Sequence, residues 1–411
     1  MSRIEPKTLK GFRDFLPKET RKRQYVIDAL RKVFESYGFE PLETPALEYA
    51  EILEGKYGEE GERFMYKFED KGDRKVALRY DQTVPLARVV SQYSNDLPLP
   101  FKRYQISNVW RGENPQAGRF REFLQCDIDT VGTNSLLADA EIIACAAKGL
   151  KALGFSKFKV LINDRKVFSG LIEDNNKLPA IVRAIDKLKK NGREKVIDEI
   201  VSAGIEKGLA GEILQALETQ KPTENINRLF GYLKTLGISE GNFEFAPFLA
   251  RGLDYYTSTI FEIEIEGYDA GSVCGGGRYD SLIGMFANRT IPAVGCAFGF
   301  DRLIEAMDSL NLFPADLTTA RVLVTVFSKE LFEKSFKVAS TLREKGINTE
   351  IYLDEQAKMD RQLKYADQKD ISYVVIIGPK EAGTGSVTLK NMRTGEQKTV
   401  PLEQLGEAVK Q

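Results

Sequence analysis

The 411-residue sequence contains no histidine. This absence excludes an imidazole general base, a Ser–His nucleophile pair and any histidine-ligated metal, because each of these requires that side chain. Whatever chemistry the protein performs must therefore use carboxylates, guanidinium groups, hydroxyls, backbone amides or bound ions.

Cysteines and long apolar runs are also scarce. The four cysteines, Cys126, Cys145, Cys274 and Cys296, lie far apart and form no C-x-x-C pair, which argues against a disulfide framework or a zinc site. No apolar run approaches the roughly 18 residues that a membrane-spanning helix needs, and the charged first residues lack the apolar core of a signal peptide. We therefore expect reduced thiols, a cytoplasmic location and no membrane segment.

Neither sign of charge predominates. The formal net charge is -1, so a polyanionic partner would have to bind a local basic patch. Basic residues cluster weakly at 7–23 and at 183–195. A solvated helix face is the more common explanation of such runs.

The pattern of elements predicts more than one domain, as the length also does. Strand patterns dominate residues 1–164 and 241–316, charged helical patterns occupy 165–240, and strand–helix alternation extends over 320–411. We interpret the helical segment as an insertion. The last segment is expected to form a small α/β domain with a mainly parallel sheet.

The densest cluster of polar residues lies at 111–129 (RGENPQAGRFREFLQCDID). Two strand patterns flank a loop that contains Asn-Pro and glycine, so we expect a β-hairpin that brings Arg111 close to Arg119 and Arg121. Converging guanidinium groups repel one another unless an anion lies among them, and phosphate matches their geometry. A surface hairpin with salt bridges at its rim is the alternative.

The second strand of this hairpin carries polar residues at alternate positions. Phe123, Gln125, Asp127 and Asp129 are therefore expected on one face. An aromatic ring, an amide and two carboxylates suit a site for a polar ligand with a stackable ring, and a core-facing strand rarely holds two aspartates.

Two glycine-containing segments follow. The glycines of GGGRYD (275–280) permit either a close approach of the backbone to a ligand or a tight turn. The segment AVGCAFGFDRL (293–303) predicts a strand that leads into a helix, where Arg302 is able to reach a phosphate or stack on a base. Neither a P-loop nor a dinucleotide-binding fingerprint occurs.

These segments resemble the motifs of histidyl-tRNA synthetases, a family of class II aminoacyl-tRNA synthetases, and the resemblance covers nearly the full length. RGLDYYTSTIFE (251–262) and GGGRYD (275–280) resemble the two signatures particular to this family. The hairpin at 111–129 resembles class II motif 2, and 293–303 resembles motif 3. The helix and proline-containing strand at 19–47 resemble motif 1, which supports dimerisation in this family.

The resemblance implies an α+β fold. Residues 1–164 and 241–316 would form a catalytic domain built on an antiparallel sheet, 165–240 a helical insertion, and 320–411 a C-terminal α/β anticodon-binding domain. The implied reaction activates L-histidine with ATP and transfers it to the 3′ end of tRNA(His), with AMP and diphosphate as products. A cytoplasmic homodimer is also implied.

Roles for single residues follow from the same resemblance. Arg111 and Arg251 are expected to be catalytic at the α-phosphate, with Arg251 standing where other class II enzymes place a metal. The resemblance assigns ATP binding to Arg111, Arg119, Arg121, Phe123 and Arg302. Mg2+ is expected near the pyrophosphate, with ligands that the sequence does not identify.

Histidine binding is assigned to a second set: Asp81, Thr83, Gln125, Asp129, Arg251, Tyr255, Tyr256 and Tyr279. Asp129 and Tyr256 would recognise the imidazole, whereas simple strand packing also explains Tyr255. Many members of the family have Glu where this chain has Asp81 and Asp129. Asn114 and Gln116 would meet the acceptor end of the tRNA.

The closest alternative is a paralogue without catalytic activity that acts as the regulatory subunit of ATP phosphoribosyltransferase in histidine biosynthesis. Such proteins usually lack the C-terminal domain and the arginines, both of which are present here. A sensor of uncharged tRNA would normally be attached to a kinase, and no kinase signature occurs.

Overall fold

The computed structural model describes residues 4–115, 119–172, 176–251, 255–287 and 289–410. The chain divides into two compact units. Unit 1 consists of residues 1–14 and 24–312, and unit 2 of residues 15–23 and 313–411. In the ranges just given, no helix is both long enough and apolar enough to cross a membrane.

The described strands, in chain order, are β1 (Glu40–Pro41), β2 (Leu47–Tyr49), β3 (Lys67–Glu69), β4 (Lys75–Leu78), β5 (Phe101–Trp110), β6 (Glu122–Val131), β7 (Phe158–Asp164), β8 (Phe243–Phe245), β9 (Thr259–Ile265), β10 (Cys274–Arg278), β11 (Ala293–Gly299), β12 (Val322–Val324), β13 (Thr349–Ile351), β14 (Tyr373–Ile376), β15 (Ser386–Asn391) and β16 (Gln397–Pro401).

The described α-helices are α1 (Pro17–Ser36), α2 (Ala50–Leu53), α3 (Gly58–Phe64), α4 (Thr83–Gln92), α5 (Leu136–Ala152), α6 (Lys166–Leu171), α7 (Leu178–Asp186), α8 (Leu188–Asn191), α9 (Arg193–Ser202), α10 (Lys207–Glu218), α11 (Glu224–Thr235), α12 (Phe300–Ser309), α13 (Phe332–Glu344), α14 (Met359–Gln368), α15 (Pro379–Thr384) and α16 (Leu405–Ala408).

Unit 1 is built on an eight-stranded sheet with the strand order β1-β5-β6-β11-β10-β9-β7-β8. The central pairs, from β5 to β7, are antiparallel, and the two outer pairs, β1 with β5 and β7 with β8, are parallel. This is the mainly antiparallel sheet that the resemblance implies.

Helix α5 covers one face of this sheet. Its residues from Ala138 to Leu150 are almost all buried, as expected for a helix that packs on a sheet. At Gly149 a Cβ atom would lie 2.9 Å from Leu30 Cδ2, so this glycine lets α1 approach α5 closely. The opposite face of the sheet is left for the polar side chains described below.

The segment after β7 is helical, as the sequence predicts. Helices α6 to α10 bury an apolar cluster that includes Phe168, Ile181, Ile200 and Leu214. The cluster continues to Ile260 of β9, so these helices and the sheet share one core.

Unit 2 contains a five-stranded sheet with the order β13-β12-β14-β15-β16. The three strands β13, β12 and β14 are parallel, and β15 and β16 form an antiparallel hairpin that extends the sheet. The sheet is thus mixed rather than mainly parallel, because the final hairpin contributes two of its strands.

Two features of unit 1 go beyond what the sequence predicts. Gly275, Gly276 and Gly277 lie within the central strand β10, which excludes the tight turn and leaves the close backbone approach of the two alternatives. Helix α4 was not expected. It contains a proline and has apolar residues on every side, so its sequence shows no clear helical period.

Candidate active site

Two adjoining cavities open on the polar face of the large sheet. The first has a volume of about 450 Å³ and the second about 280 Å³. Arg111, Glu113 and Arg119 line both of them. The site is therefore one extended depression with two compartments.

The floor of the first cavity is formed by strands with almost no side chains on that face. In the sheet register Gly295 of β11 pairs with Asp129 of β6 and with Gly277 of β10. A Cβ atom at Gly295 would lie 1.9 Å from Asp129 Oδ1, and one at Gly275 would lie 1.7 Å from Arg251 Nη1. The glycines leave the space that the functional side chains occupy.

Asp129 lies on the first cavity and is almost completely buried. The Tyr279 hydroxyl donates to its Oδ1 atom, and Arg103 Nη2 lies 2.7 Å from its Oδ2 atom. Burial raises the pKa of the Asp129 carboxyl, while the charge of Arg103 and the Tyr279 hydrogen bond lower it. Asp129 thus borders the cavity with a carboxylate that Tyr279 and Arg103 hold in place.

Asp81 is held in the loop that precedes α4. Its Oδ1 atom accepts from the Tyr57 hydroxyl at 2.8 Å and from the backbone N–H groups of Thr83 and Val84 at 3.1 Å each. Burial raises the pKa of Asp81, and these hydrogen bonds oppose the rise. Gln82 anchors the loop, because its side-chain amide donates to the Gln125 carbonyl at 3.2 Å.

Arg251 has its backbone in the left-handed region, with φ of 53°. Its Nη1 atom donates to Glu262 Oε1 at 3.0 Å, and its guanidinium lies 5.5 Å from the centre of the Tyr256 ring. A left-handed, non-glycine residue costs free energy and is commonest at functional sites. The conformation sets the guanidinium over Gly275 at the first cavity.

Arg111 lies where the two cavities meet. Its Nε atom donates to the Tyr80 carbonyl at 3.2 Å, and its guanidinium is 4.4 Å from the Tyr80 ring centre and 5.2 Å from that of Phe123. Two aromatic contacts fix the orientation of the group and still leave its other donors available for an anion.

The second cavity places an aromatic ring opposite an arginine. Phe123 and Arg302 both line it, and Arg302 Nη1 donates to the Ser272 carbonyl at 2.9 Å. Asp301 also lines it and forms an ion pair with Arg13 at 2.7 Å. A planar, electron-rich ring system fits between a phenyl ring and a guanidinium.

The structure brings most of the expected site residues together. Those that line the first cavity are Asp81, Thr83, Arg111, Arg119, Gln125, Asp129, Arg251, Tyr255, Tyr256 and Tyr279; those that line the second are Arg111, Arg119, Phe123 and Arg302.

Two expected residues, Arg121 and Asn114, line neither cavity, and a third, Gln116, is not described; Asn114 and Gln116 were expected at the tRNA acceptor end. Arg121 lines neither cavity, since its side chain donates to the carbonyls of Glu113 and Lys10. Asn114 belongs to the loop of the hairpin and also lines neither cavity. Gln116 lies outside the described residues.

Sequence reasoning missed three residues of the site. Glu113 lines both cavities, Tyr57 supports Asp81, and Glu262 pairs with Arg251. Strand alternation placed Asp127 on the right face, and it does line the first cavity. No local pattern marks Tyr57, because its contact with Asp81 depends on the tertiary fold.

A preformed metal site is not evident in the described part of the chain, which contains no group of three or more acidic or cysteine side chains able to hold an ion. The four cysteines are free and buried. The donors in the two cavities are mainly arginines, which suit phosphate rather than a cation.

Comparisons with known proteins agree with this geometry. The family described as "Histidyl-tRNA synthetase" matches residues 11–303, and the one described as "Anticodon binding domain" matches 321–411. The histidine–tRNA ligase of Aeropyrum pernix is 42% identical over 98% of this chain and 97% of its own length. That of Cytophaga hutchinsonii is 40% identical, with 98% of each chain covered.

Solved structures show the same similarity. The crystal structure of histidyl-tRNA synthetase from Nostoc sp. PCC 7120 is 34% identical, with 99% of each chain covered and a TM-score of 0.87. A Bacillus halodurans structure described as an ATP phosphoribosyltransferase regulatory subunit/histidyl-tRNA synthetase has a TM-score of 0.74. It is 23% identical and covers 91% of this chain and 99% of its own, so that likeness concerns the fold alone.

An antiparallel sheet with arginine-lined cavities on one face, followed by an anticodon-binding domain, defines a class II aminoacyl-tRNA synthetase. The family within this class is shown by the match over residues 11–303 and by the relatives that cover nearly the whole chain. The chain belongs to the histidyl-tRNA synthetase family.

Proposed function

We propose that the chain joins L-histidine to ATP, with histidyl-adenylate and diphosphate as products, and then transfers the histidyl group to the 3′ end of tRNA(His). One observation carries the proposal: Arg111 and Arg251 line the same cavity as the buried carboxylates Asp81 and Asp129. A free amino acid has the complementary charges, since its carboxylate suits the arginines and its ammonium suits an aspartate.

The first step forms a bond between a carboxylate oxygen of histidine and the α-phosphorus of ATP and breaks the bond from that phosphorus to the bridging oxygen of diphosphate. The carboxylate is already nucleophilic at neutral pH, so no general base is needed. Positioning and stabilisation of the phosphoryl charge therefore supply the catalysis. We assign these roles to Arg111 and Arg251.

ATP is proposed to extend from the first cavity into the second. Arg119 and Arg302 would bind the β- and γ-phosphates, and the adenine would lie between Phe123 and Arg302. Arg121 would support ATP binding through the position of the hairpin, because its donors are bound to backbone carbonyls there.

Histidine is proposed to bind in the first cavity. Asp81, Thr83 and Gln125 would bind the ammonium group, while Asp129 and Tyr256 would bind the imidazole nitrogens. A site that hydrogen-bonds a buried polar ring discriminates strongly, because a wrong amino acid leaves those groups without partners.

Tyr255 and Tyr279 complete the first cavity in this proposal. Tyr279 would hold Asp129 in place through its hydroxyl, as the hydrogen bond between them supports. Tyr255 also packs against apolar residues of two core clusters, so its contribution would be to shape the cavity.

The remaining partners belong to the second step. We propose that Asn114 and Gln116 of the hairpin loop meet the acceptor end and that residues 321–411 bind the anticodon region. Mg2+ would enter with ATP, bound largely by its phosphates. We further propose that the protein acts as a homodimer in the cytoplasm.

The test is histidine-dependent exchange of labelled pyrophosphate into ATP. We expect the wild-type protein to catalyse it and Arg251→Gln to lose about 10²- to 10³-fold in kcat/KM, as for removal of one donor to a developing charge. Arg228→Gln, at an exposed position on α11, is the matched control and should be unaffected.

The same assay separates this function from that of a regulatory paralogue. A folded wild-type protein that fails to exchange pyrophosphate with any amino acid would contradict the proposal. The relatives named histidine–tRNA ligase cover this chain almost end to end, which favours the ligase over the regulatory role.

A further inference from the structure

Arg103 is a charged side chain that lies entirely inside the protein. It is 0% exposed, and in the sheet register it pairs with Asp129 on the neighbouring strand β6. Its Nη2 atom lies 2.7 Å from Asp129 Oδ2 and 3.3 Å from the Gln82 carbonyl oxygen, to which it donates. Burying a charge costs free energy unless the charge is paired, and even a buried pair adds little stability. A functional explanation for this pair is therefore worth seeking.

Arg103 does not reach the place where a substrate would bind. Asp129 lines the first cavity, whereas Arg103 lines neither cavity. Its Nε and Nη1 atoms are buried and have no hydrogen-bond partner among the described residues. Any effect of Arg103 on a ligand must therefore pass through Asp129.

The carboxylates of the first cavity differ in how their charges are supported. Asp81 accepts three hydrogen bonds from its own loop and from Tyr57. Asp127 accepts one from the neutral Gln125 amide at 3.1 Å, and its Oδ1 atom has no partner in the described part of the chain. Asp129 alone of the three lies in an ion pair with a buried guanidinium.

We propose that Arg103 is a positioning residue that determines specificity for the imidazole ring: it keeps Asp129 charged and fixed in place, so that Asp129 accepts a hydrogen bond from a ring N–H. This rests on the proposed function, in which Asp129 contacts that ring. Arg103 also offsets the charge of Asp127, which occupies the same face of β6.

The geometry of Asp129 explains why its charge matters. Tyr279 donates to Oδ1, and Oδ2 has no aligned hydrogen-bond donor in the ranges that the structure describes, despite its short distance to Arg103. Oδ2 is buried against Arg103, so in this proposal the ring N–H donates to the lone pair of Oδ1 that Tyr279 does not use. A protonated carboxyl would present an O–H instead and would favour a different ligand.

Without Arg103, Asp129 would be a buried carboxyl among other carboxylates. Both burial and neighbouring negative charges favour the protonated form of such a group. The titratable and charged groups that face Asp129 are, element by element, Arg103 on β5, Asp127 on β6, Cys296 on β11, Asp81 before α4, Tyr256 before β9 and Tyr279 after β10.

The test compares Arg103→Met, which removes the charge at similar length, with Arg103→Lys, which retains it. In pyrophosphate exchange at pH 7 we expect the KM for histidine to rise about 10- to 100-fold in Arg103→Met, the range for loss of one adjacent opposite charge. Arg103→Lys should recover most of that loss. The KM for ATP should change little, because Arg103 lines no part of the nucleotide cavity.

The pH dependence gives a second readout. With Arg103 removed, the pKa of Asp129 rises, so a smaller fraction is charged at a given pH and the fraction recovers as pH increases. The KM for histidine in Arg103→Met should therefore fall as pH is raised, more steeply than in the wild type. A residue with only a structural role would not produce this change.

The third readout does not depend on turnover. Because the chain contains no histidine, the imidazole signals of bound 15N-labelled histidine in an NMR spectrum come from the ligand alone. In the wild type the ring should keep one protonation state from pH 6.5 to 8.5. In Arg103→Met it should change over that range.

Unchanged KM for histidine and unchanged ring signals in Arg103→Met would overturn the proposal, as would equal increases in the KM values for histidine and ATP. If Arg103→Met does not fold, Arg103→Gln provides the same test, since it keeps a donor for the Gln82 carbonyl without the charge. A wild-type protein that binds neither histidine nor ATP would instead refute the proposed function, a result distinct from a failure of the Arg103 variants alone.

Discussion

Asp127 lies in the site at a cost to the stability of the fold. It is 2% exposed, and burial raises the pKa of its carboxyl well above the usual range, although the charge of Arg103 lowers it. Because the folded state binds this proton more tightly than the unfolded state does, stability is lost as pH rises through the folded pKa.

The isosteric, neutral variant Asp127→Asn should therefore be more stable than the wild type at pH 8. We expect the free energy of unfolding to increase, because the amide leaves no charge to bury. The gain should be smaller at pH 5 than at pH 8, because the wild-type carboxyl takes up a proton more readily as pH falls. Urea denaturation at both pH values measures the difference, and a constant gain at all pH values would contradict this explanation.

Gly275 is important because it has no side chain. A Cβ atom there would lie 1.7 Å from Arg251 Nη1, so Gly275→Ala must displace the guanidinium that we assign to the α-phosphate. We expect a loss of about 10²-fold or more in pyrophosphate exchange, comparable to loss of an oxyanion donor.

Gly208→Ala is the control for this prediction. No atom lies within 4 Å of a Cβ built at Gly208 in helix α10. This variant should keep full activity and gain slightly in helix stability. Wild-type activity in Gly275→Ala would show that Arg251 has no role at that position.

Residues of the site differed in how well the sequence predicted them. Asp129 and Gln125 followed from strand alternation, and Arg251 and Tyr256 from a signature, since both kinds of information are local. Arg103 was not predicted, because it lies on a strand whose pattern is that of an ordinary strand. Its partner is 26 residues away in the chain, and only the register of the two strands pairs them.

At the scale of elements, strand β10 is attached to helix α5 by a buried ion pair. Arg278 Nε donates to Asp139 Oδ1 at 3.2 Å, and its Nη1 donates to the Thr133 carbonyl at 2.9 Å. Asp139 is 0% exposed. The pair fixes the end of the glycine-containing strand against the start of the helix.

Arg278→Met should lower the free energy of unfolding by about 3–5 kcal/mol, because it leaves the Asp139 carboxylate buried without an opposite charge. The double variant Arg278→Met/Asp139→Leu should cost less than the single one. A double-mutant cycle in urea measures the coupling. Additive losses would mean that the two side chains do not interact.

Elements were well predicted where their periodicity was clear. The hairpin expected around residues 111–129 is formed by strands β5 and β6, which flank the predicted loop. Strand β10 was not predicted, since glycines carry no alternation. Its strand conformation comes from pairing with β9 and β11 on both sides.

At the scale of the whole molecule, the two reaction steps should depend on different parts of the chain. The basic side chains of 183–195 are exposed, and two of the lysines pair with carboxylates, Lys187 with Glu199 and Lys189 with Glu264, at 2.8 Å each. Lys190 and Lys195 are also exposed. We interpret the segment as a surface for the tRNA acceptor stem.

The double variant Lys190→Ala/Lys195→Ala should therefore raise the KM for tRNA several-fold, with a weaker dependence on salt, because fewer phosphates are neutralised. Pyrophosphate exchange should be unchanged, since it needs no tRNA. The matched control is Lys148→Ala/Lys151→Ala, at two exposed positions of helix α5. Equal effects of the two double variants on aminoacylation would exclude a specific contact.

The division into two units, the large antiparallel sheet and the helical segment followed from composition and period together with the resemblance. The mixed sheet of unit 2 did not, because the direction of a strand is not encoded in its own residues. The domain boundaries at 164, 240 and 316 stay a prediction, and the shared core around Ile260 makes the helical segment part of the same compact unit as the sheet.

The bare strands beneath the first cavity limit how this enzyme can be re-engineered. Because Gly295 and Gly275 lie against Asp129 and Arg251, main-chain atoms set the depth of the pocket at these two positions. A designer who wants another amino acid accepted must alter the side chains around them instead. The two glycines themselves offer nothing to remove and no room in which to add.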